Sequence, residues 1–350
     1  MFAKKAKYIV AGLSLAMALS PVAAFAENSG TQATVATGVT KVLQVNPGSS
    51  VTAKFSYTAA PTVIAGANGS TSTETHNVTA TIADINLTAN GAQATDTAAI
   101  TYGTFPHAGT YAWVVSETPN TYTGSGAMQY DTETYTLVAV VNNSDNGPVV
   151  AESYLIKGTA TSTSGDKVGT ATFTNKYTEK TNDGTNAPLV VSKTVAGNQG
   201  DKTKDFTFTV TFTAPDVLPA NKTKADVLNE ITATATDGAA ITEQATVSGN
   251  ATTRTFKFTA KDADSVTFTN ALVGTTYTVD EDTYSDYTTT GEVADATVLS
   301  ESGANVTVTN TKNETVVTGI LLNNAPFIVM IGVAVAGVAA YGAAKRKLEK

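Results

Sequence analysis

Short runs in which β-branched or aromatic residues alternate with polar ones recur along this chain, and no long stretch carries the spacing of an amphipathic helix. They include Ser50-Val-Thr-Ala-Lys-Phe-Ser-Tyr57, Thr132-Glu-Thr-Tyr-Thr-Leu-Val-Ala-Val-Val141, Asp205-Phe-Thr-Phe-Thr-Val-Thr-Phe212 and Thr255-Phe-Lys-Phe258. A period of two sends one set of side chains to a buried face and the other to water, while Gly, Asn, Asp and Pro between the runs supply turns. Many short strands without a strand–helix–strand rhythm predict an all-β protein of sandwiches or open barrels. The exception is Ala225-Asp-Val-Leu-Asn-Glu230, which reads as one short helical turn. A length of 350 residues suggests two domains. The polar, turn-rich segment 178–188 is expected to link a sandwich over 27–177 to a second over 189–312.

Composition narrows the chemistry. The chain has no cysteine, which removes disulfides, thiolate nucleophiles and thiolate metal sites. Its two histidines, His76 and His107, lie 31 positions apart, so neither a zinc site nor His-based catalysis is expected, and no cofactor or metal is implied. With 22 basic against 30 acidic residues, the formal charge of −8 argues against a nucleic-acid partner. No pair of carboxylates stands out as the site of a wall hydrolase.

The two ends read as processing segments. Lys4, Lys5 and Lys7 precede an apolar run, and Ala24-Phe25-Ala26 then offers the small residues a signal peptidase reads, so secretion with cleavage after Ala26 is expected. The alternative, an N-terminal membrane anchor, is disfavoured by the shortness of that run. Near the other end, the 25 residues from Ile320 to Ala344 carry no charge and are long enough to span a bilayer, with Lys345, Arg346 and Lys347 placed to stay in the cytoplasm. Just ahead of this span, Thr315-Val316-Val317-Thr318-Gly319 resembles a Gram-positive sortase sorting signal, although Val317 stands where proline is expected and the leucine of the LPxTG form is absent. A plain single-pass anchor is the alternative. The sorting-signal resemblance implies that a sortase cysteine attacks the Thr318 carbonyl, releases the chain from Gly319 onward and leaves an acyl-enzyme for an amine to resolve. The mature chain would run from Glu27 to Thr318, 292 residues with a formal charge of about −14.

Between the ends, the two halves repeat one order of residues. Each opens with a lysine on a predicted strand, Val39-Thr40-Lys41-Val42 and Val191-Ser192-Lys193-Thr194-Val195. Each has a later strand ending in a glutamate, Gly109-Thr-Tyr-Ala-Trp-Val-Val-Ser-Glu117 and Gly274-Thr-Thr-Tyr-Thr-Val-Asp-Glu281. Each closes on Thr-x-Thr-Asn, in Ala171-Thr-Phe-Thr-Asn175 and Val306-Thr-Val-Thr-Asn310. A neutral lysine amine beside an asparagine carboxamide can form an amide and expel ammonia. Burial favours the neutral amine, and the same apolar surroundings keep a neighbouring carboxylic acid protonated to shuttle protons. Phe55, Trp113 and Phe173 in the first half, with Phe206, Phe208 and Phe256 in the second, are expected to supply that environment.

These residues, with Lys193-Thr-Val-Ala-Gly-Asn-Gln-Gly-Asp-Lys-Thr-Lys-Asp-Phe206, Thr276-Tyr-Thr-Val-Asp-Glu-Asp-Thr-Tyr284 and Tyr130-Asp-Thr-Glu-Thr-Tyr135, resemble two-domain Gram-positive pilus backbone subunits of the streptococcal isopeptide-linker type, with CnaB-like (immunoglobulin-like) β-sandwich domains. The resemblance implies one autocatalytic bond per domain, Lys41 to Asn175 assisted by Glu117 and Lys193 to Asn310 assisted by Glu281. Asp280 and Asp282 flank Glu281 and leave that assignment softer. Such bonds would clamp first to last strands in a chain that has no disulfides. The family also implies an exposed lysine that accepts Thr318 of a neighbouring subunit. Lys167, eight residues before Asn175, occupies that place, with Lys157 and Lys176 as rivals. The implied partners are a pilus-specific sortase, further copies of the chain, tip and base pilins and peptidoglycan, with membrane contact only through the precursor's C-terminal span. The expected location is a wall-attached surface fibre and the expected role structural rather than enzymatic. A wall-anchored adhesin or minor pilin is the alternative, and a thioester adhesin is excluded by the lack of cysteine.

Overall fold

The structure is a computed structural model and describes residues 38–66, 73, 75–181 and 186–314. The cleavage site after Ala26, the motif from Thr315 to Gly319 and the apolar span with its basic tail lie outside the described residues. The first half contributes β1 (Gly38–Gln44), β2 (Ser50–Phe55), β3 (Tyr57–Thr62), β4 (Ala80–Ile82), β5 (Ile85–Asn90), β6 (Ala94–Tyr102), β7 (Gly109–Glu117), β8 (Ala127–Gln129), β9 (Thr134–Ser144), β10 (Gly147–Lys157), β11 (Lys167–Val168) and β12 (Thr170–Thr178). The second contributes β13 (Leu189–Ala196), β14 (Phe206–Thr213), α1 (Lys224–Asn229), β15 (Thr232–Thr236), β16 (Ala240–Glu243), β17 (Thr253–Ala260), β18 (Ser265–Thr269), β19 (Thr276–Glu281), β20 (Thr288–Thr290), β21 (Val293–Val298) and β22 (Ala304–Thr311).

The protein is all-β, each half pairing two five-stranded sheets face to face. The orders are β4-β6-β1-β12-β8 and β11-β10-β9-β7-β3 in the first half, and β15-β18-β13-β22-β20 and β16-β17-β14-β19-β21 in the second; β2 and β5 form a separate ribbon. In both halves the opening strand lies parallel to the closing one, β1 beside β12 and β13 beside β22, at the centre of one sheet. The period-two pattern explains the cores. Phe206, Phe208, Val210 and Phe212 all point inward from β14, and Tyr111, Trp113 and Val115 do so from β7. Each such side chain contributes about 1.5–3 kcal/mol by leaving water.

One local reading changes and another is met. The run from Ser50 to Tyr57 is not one strand: it divides at Ser56, β2 pairing with β5 and β3 with β7, so the alternation continues while the chain changes sheets. The helical turn becomes α1, fixed by a reciprocal cap in which the Asp226 N–H donates to Thr223 Oγ1 and the Thr223 N–H to Asp226 Oδ2, with Ala225, Val227 and Leu228 buried.

The described residues of the segment read as a linker are tied down. Thr178, Glu179, Thr181 and Asn186 are buried. The Thr181 N–H donates to Ala271 O, while the Asn270 and Val273 N–H groups donate to Thr181 O and Glu179 O. Nearby, the Asn46 carboxamide both donates to Val217 O at 2.8 Å and accepts from the Val217 N–H at 2.9 Å, bridging the halves. Gly274, at φ +92°, passes so close to Asn46 that a Cβ there would collide with it.

Candidate functional site: two buried Lys–Glu–Asn clusters

On β1 the inward ladder is Val39, Lys41 and Leu43, and on β12 it is Ala171, Phe173, Asn175 and Tyr177. The parallel register sets Lys41 opposite Phe173 and Leu43 opposite Asn175. The long lysine side chain therefore shares a face with the carboxamide one inward position further along. The second half repeats the offset of two: Lys193 lies opposite Val308, and Val195 opposite Asn310. In each case the glutamate comes from the other sheet, Glu117 at the end of β7 and Glu281 at the end of β19. All six side chains are buried.

Lys41 Nζ lies 2.8 and 2.9 Å from the two Glu117 oxygens, and Asn175 Nδ2 donates to Glu117 Oε1 at 2.8 Å. One carboxylate thus bridges the amine and the carboxamide nitrogen. In the second cluster Lys193 Nζ lies 2.8 Å from Glu281 Oε2, and Asn310 Nδ2 donates to Glu281 Oε1. The strand alternation turns Glu281 inward to the lysine and asparagine, while Asp280 and Asp282 are exposed.

Burial sets the protonation. It pulls the Lys41 amine down to about 8, outweighing the Glu117 hydrogen bond and charge that favour the ammonium. It pushes Glu117 up, again against the opposing pull of its lysine. Lys193 is lowered and Glu281 raised for the same reason. Desolvating two separate ions costs several kcal/mol each, so moving one proton from amine to carboxylate leaves a neutral pair better suited to the site. A neutral amine is a nucleophile, and a protonated carboxyl can pass a proton to a leaving nitrogen.

The aromatic surroundings differ in part from expectation. Phe55 lies 4.5 Å from Lys41 Nζ, and Phe206 and Phe208 lie 4.4 and 5.8 Å from Lys193 Nζ. Phe173 is buried against Tyr57 and Tyr135. Trp113, four residues before Glu117, packs instead on His76 and Tyr102, and Phe256 on Phe212 and Phe268, so both fill their cores away from the amines.

One contact leaves no trace in the sequence. The Asp131 main-chain N–H donates to Asn175 Oδ1 at 2.8 Å, and the Asp131 carboxylate accepts the N–H of Thr174, the residue before that asparagine. Asp131 lies in the segment Tyr130 to Tyr135, but a main-chain donor leaves no letter in a sequence. His76 is also occupied, Nδ1 accepting from the Val78 N–H and Nε2 donating to Ala112 O, which leaves it no lone pair for a metal.

Lys167 opens β11 at the edge of its sheet, half exposed, with Nζ 3.7 Å above the Tyr154 ring and 3.7 Å from Glu152 Oε1. Lys157 faces Glu133 at 3.4 Å and Lys176 is exposed on β12.

Residues 37–178 match the family model described as the Spy0128-like isopeptide containing domain, FctA, and residues 187–312 match a domain of unknown function, DUF7601. A curated protein named Pilin, from Streptococcus pyogenes serotype M1, is 31% identical, the match covering 67% of this chain and 67% of that one. Solved structures with similarity include the major pilin of Streptococcus pyogenes, at 23% identity and a TM-score of 0.33 over 79% of this chain and 99% of that one. The T3.2 major pilin from Streptococcus pyogenes serotype GAS13637 gives 19% identity and a TM-score of 0.31 over 78% and 97%. The chain belongs to the family of Gram-positive pilins that carry Spy0128-like isopeptide domains.

Proposed function

We propose that this pilin is the shaft subunit of a covalent surface pilus, reinforced by a Lys41–Asn175 bond in its first domain (27–177) and a Lys193–Asn310 bond in its second (189–312). The observation that carries the reading is the twice-repeated bridge of a buried amine and a buried carboxamide by one carboxylate, between first and last strands. The reaction follows from those contacts. Neutral Lys41 Nζ attacks Asn175 Cγ and gives up a proton to Glu117, while Glu117 passes its own proton to Asn175 Nδ2. The Cγ–Nδ2 bond breaks, ammonia leaves and the Nζ–Cγ amide remains. Glu281 does the same between Lys193 and Asn310. These steps are intramolecular and single-turnover, so the chain is a sortase substrate rather than an enzyme.

Subunits are joined when a pilus sortase, having cleaved between Thr318 and Gly319, transfers the Thr318 acyl group to Lys167 of another copy. Exposure of Lys167 on an edge strand supports that choice. Tip and base pilins and peptidoglycan are the remaining partners of the assembled fibre.

Intact mass of purified 27–318 tests the internal bonds: a deficit of roughly 17 Da per bond, about 34 Da in all, is expected, and the full theoretical mass would refute them. An immunoblot of SDS-boiled wall extract tests assembly. A high-mass ladder that collapses to monomer in Lys167→Ala supports the linkage. An unchanged ladder moves the acceptor to another lysine, and monomer alone in wild type with its sortase present favours an anchored adhesin.

A further inference from the structure

The geometry points to the Asp131 main-chain N–H as the oxyanion donor for the first isopeptide bond, a catalytic contact that rests on the Lys41–Asn175 reading and has no counterpart among the described residues of the second half. During attack by Lys41 Nζ, the C=O bond of Asn175 opens and negative charge gathers on Oδ1. A donor already aimed at that oxygen stabilises the developing charge without reorganising. The Asp131 N–H lies 2.8 Å from Oδ1, within the range such donors use.

The donor is held from several sides. Asp131 Oδ2 accepts the Thr174 N–H at 2.6 Å, locking residue 131 to the strand that carries Asn175, and Oδ1 accepts the Glu133 N–H at 2.8 Å. The preceding residue is pinned by Tyr130 Oη, which accepts the Tyr122 N–H at 2.6 Å. Segment 130–133 thus forms a rigid bracket from β9 to β12. The same contact fixes which way the carboxamide faces. With Oδ1 on the Asp131 N–H, Nδ2 must point to Glu117, the group that protonates it as it leaves. Carbonyl activation and leaving-group protonation are therefore set by one orientation. In the second half, Asn310 Nδ2 also meets its glutamate, yet Asn310 Oδ1 is buried with no donor.

The full chain provides the test and its own controls. Cell-free synthesis followed by an acid-quenched time course gives the rate of each bond from the mass of its cross-linked peptide. Trp113, the chain's single tryptophan and buried in the first core, reports folding of that half by its emission. Replacing the 130–131 peptide with an ester, using malic acid at position 131, removes the N–H and keeps both carboxylate contacts. The expected result is native Trp113 emission, closure of Lys41–Asn175 slowed about 10²-fold, and an unchanged Lys193–Asn310 rate. Wild-type closure in the ester would overturn the proposal. Should the ester expose Trp113, Asp131→Pro and Asp131→Ala decide together: both lack the carboxylate but only the proline lacks the N–H, so slower first-bond closure in the proline than in the alanine, with native emission, supports the proposal, and equal rates overturn it. Absence of the first-half cross-link in wild type would instead remove the Lys41–Asn175 reading, and this inference with it.

Discussion

In the first half the Asn175 carbonyl accepts a hydrogen bond from the Asp131 N–H, whereas the Asn310 carbonyl of the second half is buried without a donor. The rest of the frame is shared: parallel opening and closing strands, a lysine two positions out of register with its asparagine, and a glutamate from the opposing sheet. The loops around that frame diverge. Asp131 sits beside the first cluster, while in the second Glu292 accepts the Glu281 N–H and Lys193 lies near two phenylalanine rings rather than one. Strand register decides which side chains meet, and connecting loops decide how strongly the carbonyl is polarised. An orphaned buried acceptor costs about 1–3 kcal/mol, enough to separate the two proposed reactions.

Removing each carboxylate in turn separates the two halves most clearly. Glu117→Ala is expected to abolish the first bond and Glu281→Ala the second, each leaving a deficit of roughly 17 Da instead of 34 by intact mass. Loss of both bonds from either substitution would show that the halves do not react independently.

Next in size is the stability each bond confers. Asn175→Ala and Asn310→Ala should each remove about 5 kcal/mol, because both bonds close loops of more than 100 residues. Calorimetry should show the affected half melting roughly 10–30 °C lower. Near-equal losses support a frame-level contribution, and a large asymmetry would assign it to the loops.

The pH dependence of closure sharpens the contrast further. On the proposed reaction, the productive cluster holds one proton between amine and carboxyl. Burial lowers Lys41 to about 8 and raises Glu117, so the one-proton window is narrower than for the isolated groups at both ends. First-bond closure should therefore slow as pH rises above about 8, where the shared proton is lost. A rate that keeps climbing to about pH 10, near the ordinary lysine value, would exclude Glu117 as proton carrier. Lys193 is lowered too, so the second bond should show an alkaline limb below the ordinary lysine range.

The smallest expected effect lies between the halves. Asn46→Ala deletes two hydrogen bonds to Val217 and should cost about 1–2 kcal/mol, read as earlier separation of the two melting transitions. Both bonds should still form.

Much of this was legible because strand periodicity is written in side chains. Tyr277, Val279 and Glu281 alternate with Thr278 and Asp280, and that alternation by itself predicts an inward Glu281. The repeated Lys, Glu and Asn survive as letters because their chemistry lies in their side chains. Asp131 could not be read, since its contribution to the carboxamide is a main-chain N–H positioned by a fold 44 residues away in sequence. The break at Ser56 was invisible for a related reason: β2 and β3 keep one alternation while pairing with different partners. Buried Glu179 and Thr181 read as linker residues because the backbone bonds holding their segment to 270–273 are long-range.

The position of Lys167, at the edge just ahead of β12, alters what the two bonds would do in a fibre under tension. On the proposed linkage, pull enters a subunit at Lys167, runs along β12 into β13, crosses from Lys193 to Asn310 and leaves at Thr318. The second bond stands in series with that line. The first lies off it, and its domain hangs on β12 like a bead on a taut thread, with Lys41 as the pin that keeps the thread from being drawn out.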